Sequence, residues 1–345
     1  MSEYAAGPVA ALRRIAFLLE RAREDTYKVK AFRGAAATIL PIPDAELARH
    51  VDEGTLTKLP GVGASSAKVI AAAVRGEVPE RLAKAESELA GPLTDGGGDG
   101  LRALLRGDLH SHSDWSDGGS PIEEMAFTAI ELGHDYLVLT DHSPRLTIAH
   151  GLSAERLTRQ LGVVEAVNAH LAGSGFTLLK GIEVDILDDG SLDQDDDLLA
   201  RLDLRVASVH SKLKMDAPAM TRRMIGAVSN PRTNVLGHCT GRLVTGGRGT
   251  RGQSQFDAKA VFEACAEHDV AVEINSRPER RDPPTTLLEL ARDSGCLFSI
   301  DSDAHAPGQL DFLVLGCERA EAAGIDADRI VNSWPQERLL AWARK

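Results

Sequence analysis

Residues 108–118, DLHSHSDWSDG, set His110 and His112 two apart and place Asp117 five further along, at an Asp-Gly pair that reads as a turn. Side chains two apart on a strand point to one side, so both imidazoles can reach one ion from a single short segment. Alone, the pattern reads equally well as a polar turn with solvated histidines. It does not stand alone. LVLTDH ends in Asp141 and His142, LLKGIE in Glu183, RVASVH in His210, NVLGH in His238, and FSIDSDAH in Asp301, Asp303 and His305. Six of the eleven histidines fall at such ends of apolar runs, whereas His50, His134, His150, His170 and His268 do not. Burying that many polar groups without a shared partner is costly. The pattern implies a multinuclear metal site.

Imidazole and carboxylate ligands suit Zn²⁺, Mn²⁺ or Fe²⁺, as opposed to a sulfur-rich structural zinc site. Ions that share a carboxylate such as Glu183 lower the pKa of a bridging water and clamp the oxygens of an in-line phosphoryl displacement. The chemistry expected is phosphoester hydrolysis. Arg280, with Asn275 and Arg242 at neighbouring strand ends, is a candidate to bind a phosphate oxygen, which the guanidinium fork matches. The competing reading is a surface ion pair with Asp282 or Asp188. The acidic stretch DDGSLDQDDD (188–197) reads as a solvated loop.

These residues need a scaffold that gathers strand ends. The runs DYLVLT (135–140), FTLLKGIEVDIL (176–187), LRVASVH (204–210), TNVLGH (233–238), VAVEIN (270–275) and CLFSID (296–301) alternate with amphipathic stretches such as IEEMAFTAIEL and AKAVFEACAEH. Strands alternating with helices imply a parallel α/β sheet or barrel, and in parallel barrels the loops after the strands share one rim. Residues 1 to about 90 differ, with helical spacing through VAALRRIAFLLERA and FRGAAATIL and no strand alternation. The Gly/Asp run TDGGGDG (94–100) reads as a flexible connection. The expected organisation is a helical domain over 1–92, a linker over 93–104 and an α/β domain over 105–345.

Composition narrows the class. At 345 residues, 43% hydrophobic and 26% charged, the chain has the make-up of a globular protein with room for two domains. No run approaches the length of a membrane span, and MSEYAAGPVAALRR lacks the apolar core of a signal peptide, so a cytoplasmic, non-membrane protein is expected. Cys239, Cys265, Cys296 and Cys317 are scattered with no C-x-x-C pair, as reduced buried thiols would be. A net charge of −12 excludes a generally basic, nucleic-acid-coating surface. Any contact with nucleic acid must be local.

Together DLHSHSDWSDG, LTDHS, GIEVDILDDGSLD, ASVHS, LGHCTGRL, VEINSRPERRD and SIDSDAH resemble the PHP (polymerase and histidinol phosphatase) domain, most closely that of bacterial family X DNA polymerases. The resemblance implies a distorted (β/α)7 barrel holding up to three divalent ions, Zn, Mn or Fe. The ligands it implies are His110, His112, Asp117, His142, Glu183, His210, His238, Asp303 and His305. His110, His112 and Asp303 would take one ion; Glu183 would bridge to a second on His210 and His238; Asp117, His142 and His305 would take the third. Asp117 stands where some members carry histidine. Cys239 stands where polymerase-linked members often carry proline, and reads as packing.

LPGVGASSAKVIAAAVRG (59–76) has the form of a helix–hairpin–helix: Leu59 packs, Pro60-Gly61-Val62-Gly63 turns, and Ala64 starts a helix. Gly61 and Gly63 would let backbone N–H groups at that helix start face a phosphate, gripping a nucleic-acid backbone without reading sequence. Upstream, LLERAREDTYKVKAFRGAAATI resembles the small N-terminal domain of family X polymerases, and Lys28, Lys30 and Arg33 beside Tyr27, with Lys68, would supply local positive charge. Two departures matter. Val69 stands where lyase-active relatives carry their Schiff-base lysine, so no lyase activity is expected; and only about 30 residues separate the hairpin from the first metal motif, too few for a polymerase domain.

The expected function is therefore a metal-dependent phosphoesterase acting on DNA 3′ ends, an exonuclease or 3′-phosphatase in the manner of a repair nuclease. The alternative within enzymes is a small-molecule phosphatase of the histidinol-phosphate type. A non-catalytic DNA-binding or scaffold protein is the third reading, and the number of ligand positions argues against it.

Overall fold

The computed structural model describes residues 7–246 and 249–344; the first six residues of the N-terminal stretch read above lie outside them. Contacts divide the chain into two compact units, Met1–Pro92 and Leu93–Lys345.

The first unit is all helical: Pro8–Arg21, Thr26–Ile39, Asp44–Asp52, Ala64–Val74 and Glu80–Leu89. Proline opens the first helix, where its missing N–H costs nothing. Leu12, Ile15, Ala16 and Leu19, spaced by three and four, then turn one face inward. That face meets Phe32, Ile39, Leu47, Val62, Val69, Ile70 and Leu82 in one core. Val69 is thus a core residue of the hairpin helix. The hairpin itself forms as expected, with Gly61 at a left-handed φ of 71° and Thr38 Oγ1 donating to Pro60 O at 2.8 Å.

The second unit is a parallel barrel of seven strands in sequence order, β1 (Gly107–Ser111), β2 (Tyr136–Leu139), β3 (Thr177–Asp185), β4 (Leu204–Ser208), β5 (Val235–Leu236), β6 (Ala271–Asn275) and β7 (Phe298–Asp301). The nine-residue β3 pairs with β2 through Thr177–Lys180 and with β4 through Gly181–Asp185. Residue alternation sorts its two sides. Leu179 clusters with Tyr136, Val138, Leu204, Val206, Trp334 and Leu339, whereas Leu178, Leu137 and Leu139 pack with Met125 and Val164 of the flanking helices Ile122–Glu131 and Ala154–His170. On the side that begins with Leu179, apolar residues at the strand starts give way to Glu183 and Asp185 at the end.

The TDGGGDG run corrects one expectation. It is folded into the second unit and is not a free linker: Gly98 N and Leu101 N donate to the Glu321 carboxylate at 2.8 and 3.0 Å, and Asp99–Arg102 forms a helical turn. The glycines permit the close approach, since a Cβ on Gly98, at φ +87°, would lie 2.6 Å from Glu318 N. The joint between units falls at 92/93.

Closure between β1 and β7 relies on side chains. Beyond one bridge, Ser111 to Ala304, Leu109 N donates to Asp301 Oδ1 at 3.0 Å and Ser302 N to Asp108 Oδ1 at 3.2 Å. Buried Asn332 completes the seam: its Nδ2 donates to Gly107 O, Ile300 O and Asp301 Oδ1, and its Oδ1 accepts from Ile300 N at 2.7 Å. Each buried group left unpaired costs roughly 1–3 kcal/mol. Asn332→Leu is therefore expected to destabilise the barrel by at least about 3 kcal/mol, read as a lowered urea midpoint; an unchanged midpoint would remove Asn332 from the seam.

Candidate metal centre

Seven strand ends deliver their polar side chains to one cup. Glu183, fully buried on β3, is its middle. Its Oε1 faces His238 Nε2 at 2.9 Å and His210 Nε2 at 3.2 Å; its Oε2 faces His142 Nδ1 at 2.8 Å, His110 Nε2 at 3.3 Å and His112 Nε2 at 3.6 Å. Asp117 Oδ1 lies 3.4 Å from both His142 Nε2 and His305 Nε2, and Asp303 Oδ1 lies 3.5 Å from His112 Nε2 and from His305 Nδ1. All nine ligand positions inferred from the family resemblance meet here.

Most of these separations are too long for hydrogen bonds. They match ligand atoms set about 2.1 Å from a common ion, which at a tetrahedral angle stand about 3.4 Å apart. His110 Nε2, both nitrogens of His112, His142 Nδ1, His238 Nδ1 and Glu183 Oε2 are buried with no hydrogen-bond partner. Cations shared in the cup would satisfy those of these atoms that face Glu183. The donor set fits hard or borderline divalent ions.

The grouping differs from the one the resemblance implies. Ligand atoms close together as His112, Asp117, His142 and His305; as His110, His112 and Glu183; and as His142, Glu183 and His210. His238 and Asp303 belong to none of these sets; Asp303 Oδ2 is engaged by Arg280 Nε and Asn275 Nδ2, each at 3.1 Å. Asp303 also holds a left-handed φ of 51°, unusual for a residue with a side chain and concentrated at functional sites.

Electrostatics favour cations in the cup. Burial opposes charge on Glu183, but His210, His110 and His142 outweigh it and hold its carboxyl well below the usual range. Asp303 is held well below by Arg280 and His110, and Asp117 is lowered by the rings of His142 and His305, in both cases against burial. Burial likewise opposes charge on His142, yet Glu183 and Asp117 push it up to about 10. His112 goes the other way, pushed down to about 3 by burial and by His305 and His142.

An outer set of carboxylates orients the rings and loops; sequence reading marks Asp141 and Asp301 at strand ends but misses Glu273 and Asp185. Glu273 on β6 takes His110 Nδ1 at 2.5 Å and the His238 amide at 2.5 Å, and Asp185 holds His210 Nδ1. The signal was available: Asp185 follows Glu183 by two on β3, and Glu273 precedes Asn275 by two on β6, so each shares a face with a site residue. Asp141 is saturated by Ser113, Ser116 and Gln160, which fixes the loop carrying Asp117. Asp301 serves the seam described above.

Of the phosphate-binding candidates, only Arg280 lines the cleft over the cup, a space of about 300 Å³, and it pairs with Asp303 in place of Asp282 or Asp188. Asn275 is buried and binds Glu273 and Asp303, so it positions ligands. Arg242 is directed elsewhere: its guanidinium donates to the carbonyls of Arg280 and Arg281 and braces their turn. Two arginines not foreseen, Arg277 and Arg251, line the cleft beside Arg280. Cys239 is a buried thiol 3.9 Å from Asp282, which agrees with packing.

In the helical unit, Lys30 and Lys68 are exposed as expected, and so are Gly61, Gly63 and Lys58. Arg33 is not available to a ligand; it forms a two-point pair with buried Glu20 at 2.7 and 3.0 Å. Lys28 is exposed and paired with Glu24. The Gly63 N–H is taken by Ser66 Oγ at 3.0 Å, leaving the first-turn amides of Ala64 and Ser65 as the helix-start donors without intrahelical acceptors.

Comparison with known proteins agrees with this geometry. Residues 108–277 match the PHP domain model and residues 6–77 a helix-hairpin-helix domain model. DNA polymerase/3'-5' exonuclease PolX of Bacillus subtilis (strain 168) is 38% identical over 241 residues, 70% of this chain and 41% of that one. The chain thus spans about two fifths of that relative's length. A probable phosphatase of Aeromonas hydrophila is 30% identical over 250 residues, 67% of this chain and 91% of that one. A crystal structure of histidinol phosphate phosphatase from Lactococcus lactis, complexed with zinc, L-histidinol and phosphate, is 18% identical, covering 64% of this chain and 95% of that one, with a TM-score of 0.46.

The cup predicts how metal content responds to substitution. Glu183→Gln should lower the divalent metal retained after dialysis more than any single histidine change, and Glu273→Gln should weaken metal affinity about 10–100-fold while leaving every ligand in place. Elemental analysis and competition with a chelator check both; wild-type metal content in Glu183→Gln would remove Glu183 from the centre.

Proposed function

The chain belongs to the PHP-domain family and is a metal-dependent phosphoesterase, and on that premise we propose that it hydrolyses phosphoesters at DNA 3′ ends, removing nucleotides or a terminal phosphate. One observation carries the proposal: the same chain joins a phosphoesterase cup to a helical unit whose hairpin turn, with Lys58 and Lys68 near it, is exposed. A small-molecule phosphatase has no use for a backbone-gripping hairpin. The similarity to PolX supports the same reading.

Divalent ions held in the cup, by His110, His112, Asp117, His142, Glu183, His210 and His305, would supply Lewis acidity toward phosphoryl oxygens and a lowered water pKa. The chain's own residues do the rest. Arg280, tied to Asp303 through Nε, has terminal nitrogens with no hydrogen-bond partner among the described residues, and presents them to a non-bridging phosphate oxygen. Arg277 donates to the Asp303 carbonyl at 3.1 Å and lies against His305, fixing that side of the cup. Glu273 and Asp185 hold the rings of His110 and His210 in their working orientation. The hairpin supplies sequence-independent grip through the amides of its helix start and through Lys30, Lys58 and Lys68. The cytoplasmic placement expected from the sequence belongs to this reading; no helix among the described residues is long and apolar enough to cross a membrane.

The rival is a phosphatase of the histidinol-phosphate type, favoured by the similarity to a probable phosphatase over 91% of that protein. Charge reversal separates the two. In the Mn²⁺- or Zn²⁺-loaded full chain, Lys30→Glu with Lys68→Glu should weaken hydrolysis of end-labelled DNA with a recessed 3′ end about ten-fold or more and flatten its salt dependence. Hydrolysis of a small chromogenic phosphate ester should not change. Turnover of histidinol phosphate with DNA untouched would establish the rival.

A further inference from the structure

The cleft over the cup is lined by side chains of two kinds: Arg251, Arg277 and Arg280 are cationic, and Leu146, Ile148, Ala149, Val209 and Leu213 are apolar. Ile148 stands out, being 88% exposed, more than any other large apolar side chain among the described residues. Scattered exposed apolar residues need no explanation. One at the mouth of a polar catalytic cleft does, especially where the backbone is built to hold it there.

The loop that carries Ile148 is rigidly folded. Residues Thr147–Ala149 form a 3₁₀ turn anchored at its C-terminal side by buried Ala149 and Leu152. Gly151 N donates to Leu146 O at 3.2 Å, Leu152 N to His142 O at 2.7 Å, and Ser143 N to Glu183 O at 3.0 Å, so the loop is tied directly to two residues of the cup. Arg156 clamps its far side through the carbonyls of His150 and Gly151. The loop closes so tightly that a Cβ on Gly151 would lie 1.9 Å from Ser143 O. The backbone that carries Ile148 is thus held by hydrogen bonds, which lowers the ordering cost of binding there.

We infer that Ile148, with Leu146 and Leu213 of the same cleft lining, forms a base-binding surface, and that Ile148 acts as a wedge parting the terminal base from its neighbour. The occupant is a nucleotide unit, and this rests on the DNA-end reading above. Charge complementarity argues for it: a nucleotide is anionic at the phosphate, which the arginines and a metal-loaded cup would receive, and apolar on the faces of its base, which the apolar part of the lining would receive. A small aliphatic phosphate ester offers nothing to that part. Apolar side chains, isoleucine among them, part base steps in other nucleic-acid complexes, and contact with a base face is indifferent to sequence. Ile148 is a specificity residue for the reaction and takes no part in bond cleavage.

The test uses full-length, metal-loaded protein and two oligonucleotides that differ only in whether the 3′-terminal residue carries its base or is abasic. Wild type is expected to prefer the substrate with the base, and Ile148→Ser to lose about ten-fold in kcat/KM on that substrate, mainly through KM, while its rate on the abasic end stays the same. The preference collapses in the variant. Being exposed, Ile148 can be replaced without loss of fold, which an unchanged melting temperature verifies. An equal base preference in wild type and Ile148→Ser overturns the wedge but leaves the DNA-end reading standing. Wild type that hydrolyses neither oligonucleotide yet turns over a small phosphate ester overturns that reading, and the inference with it.

Discussion

Glu183 and the imidazoles gathered around it are the constraint on which the second unit depends. A carboxylate wholly removed from water is costly unless positive charge surrounds it, and here five histidines from four strand ends face its two oxygens. Only a closed parallel barrel brings that many strand ends to one point. The split pairing of β3 shows the consequence. Its first half belongs to the β2 side and its second half to the β4 side, so the strand that carries Glu183 is paired along both edges and delivers the carboxylate to the middle of the cup.

Around that middle the acidic residues divide into two kinds. Asp117, Glu183 and Asp303 face ring nitrogens across gaps sized for an ion; Asp141, Asp185, Glu273 and Asp301 sit behind them and accept hydrogen bonds from backbone amides, hydroxyls and ring Nδ1 atoms. The second group converts floppy loops and freely turning imidazoles into fixed geometry. Asp141 shapes the turn that aims Asp117, and Asp301 shares the β1–β7 seam with Asn332. Stability and site geometry therefore use the same carboxylates.

Much of this was legible in the residues. The strand runs ended where apolar stretches met His, Asp or Glu, because strand interiors must be dry and the cup lies just beyond them; that rule and the family resemblance named the nine positions that gather there. What stayed hidden was pairing at a distance. Arg33 reads as a surface cation among Lys28 and Lys30, yet Glu20, thirteen residues back on the preceding helix, claims it. Arg242 sits beside a ligand strand end but turns to carbonyls 38 and 39 residues later. The TDGGGDG run looks like a linker until Glu321, more than 200 residues on, accepts its amides. Local pattern tells which residues can pair; only the fold decides with whom.

The cup's own charge constrains how a substrate can bind. Its three facing carboxylates are ionised, and they would repel a phosphate at close range. Arg277 and Arg280 offset part of that field, but Asp303 engages both, through its carbonyl and its carboxylate respectively. Attraction for phosphate therefore rises with each cation the cup holds, and metal binding and substrate binding become linked equilibria. Since phosphate attraction is common to every phosphoester, it cannot choose among them. Choice must come from surfaces that meet the rest of the molecule; under the proposed function these are Ile148 with its apolar neighbours in the cleft and, in the helical unit, the hairpin turn.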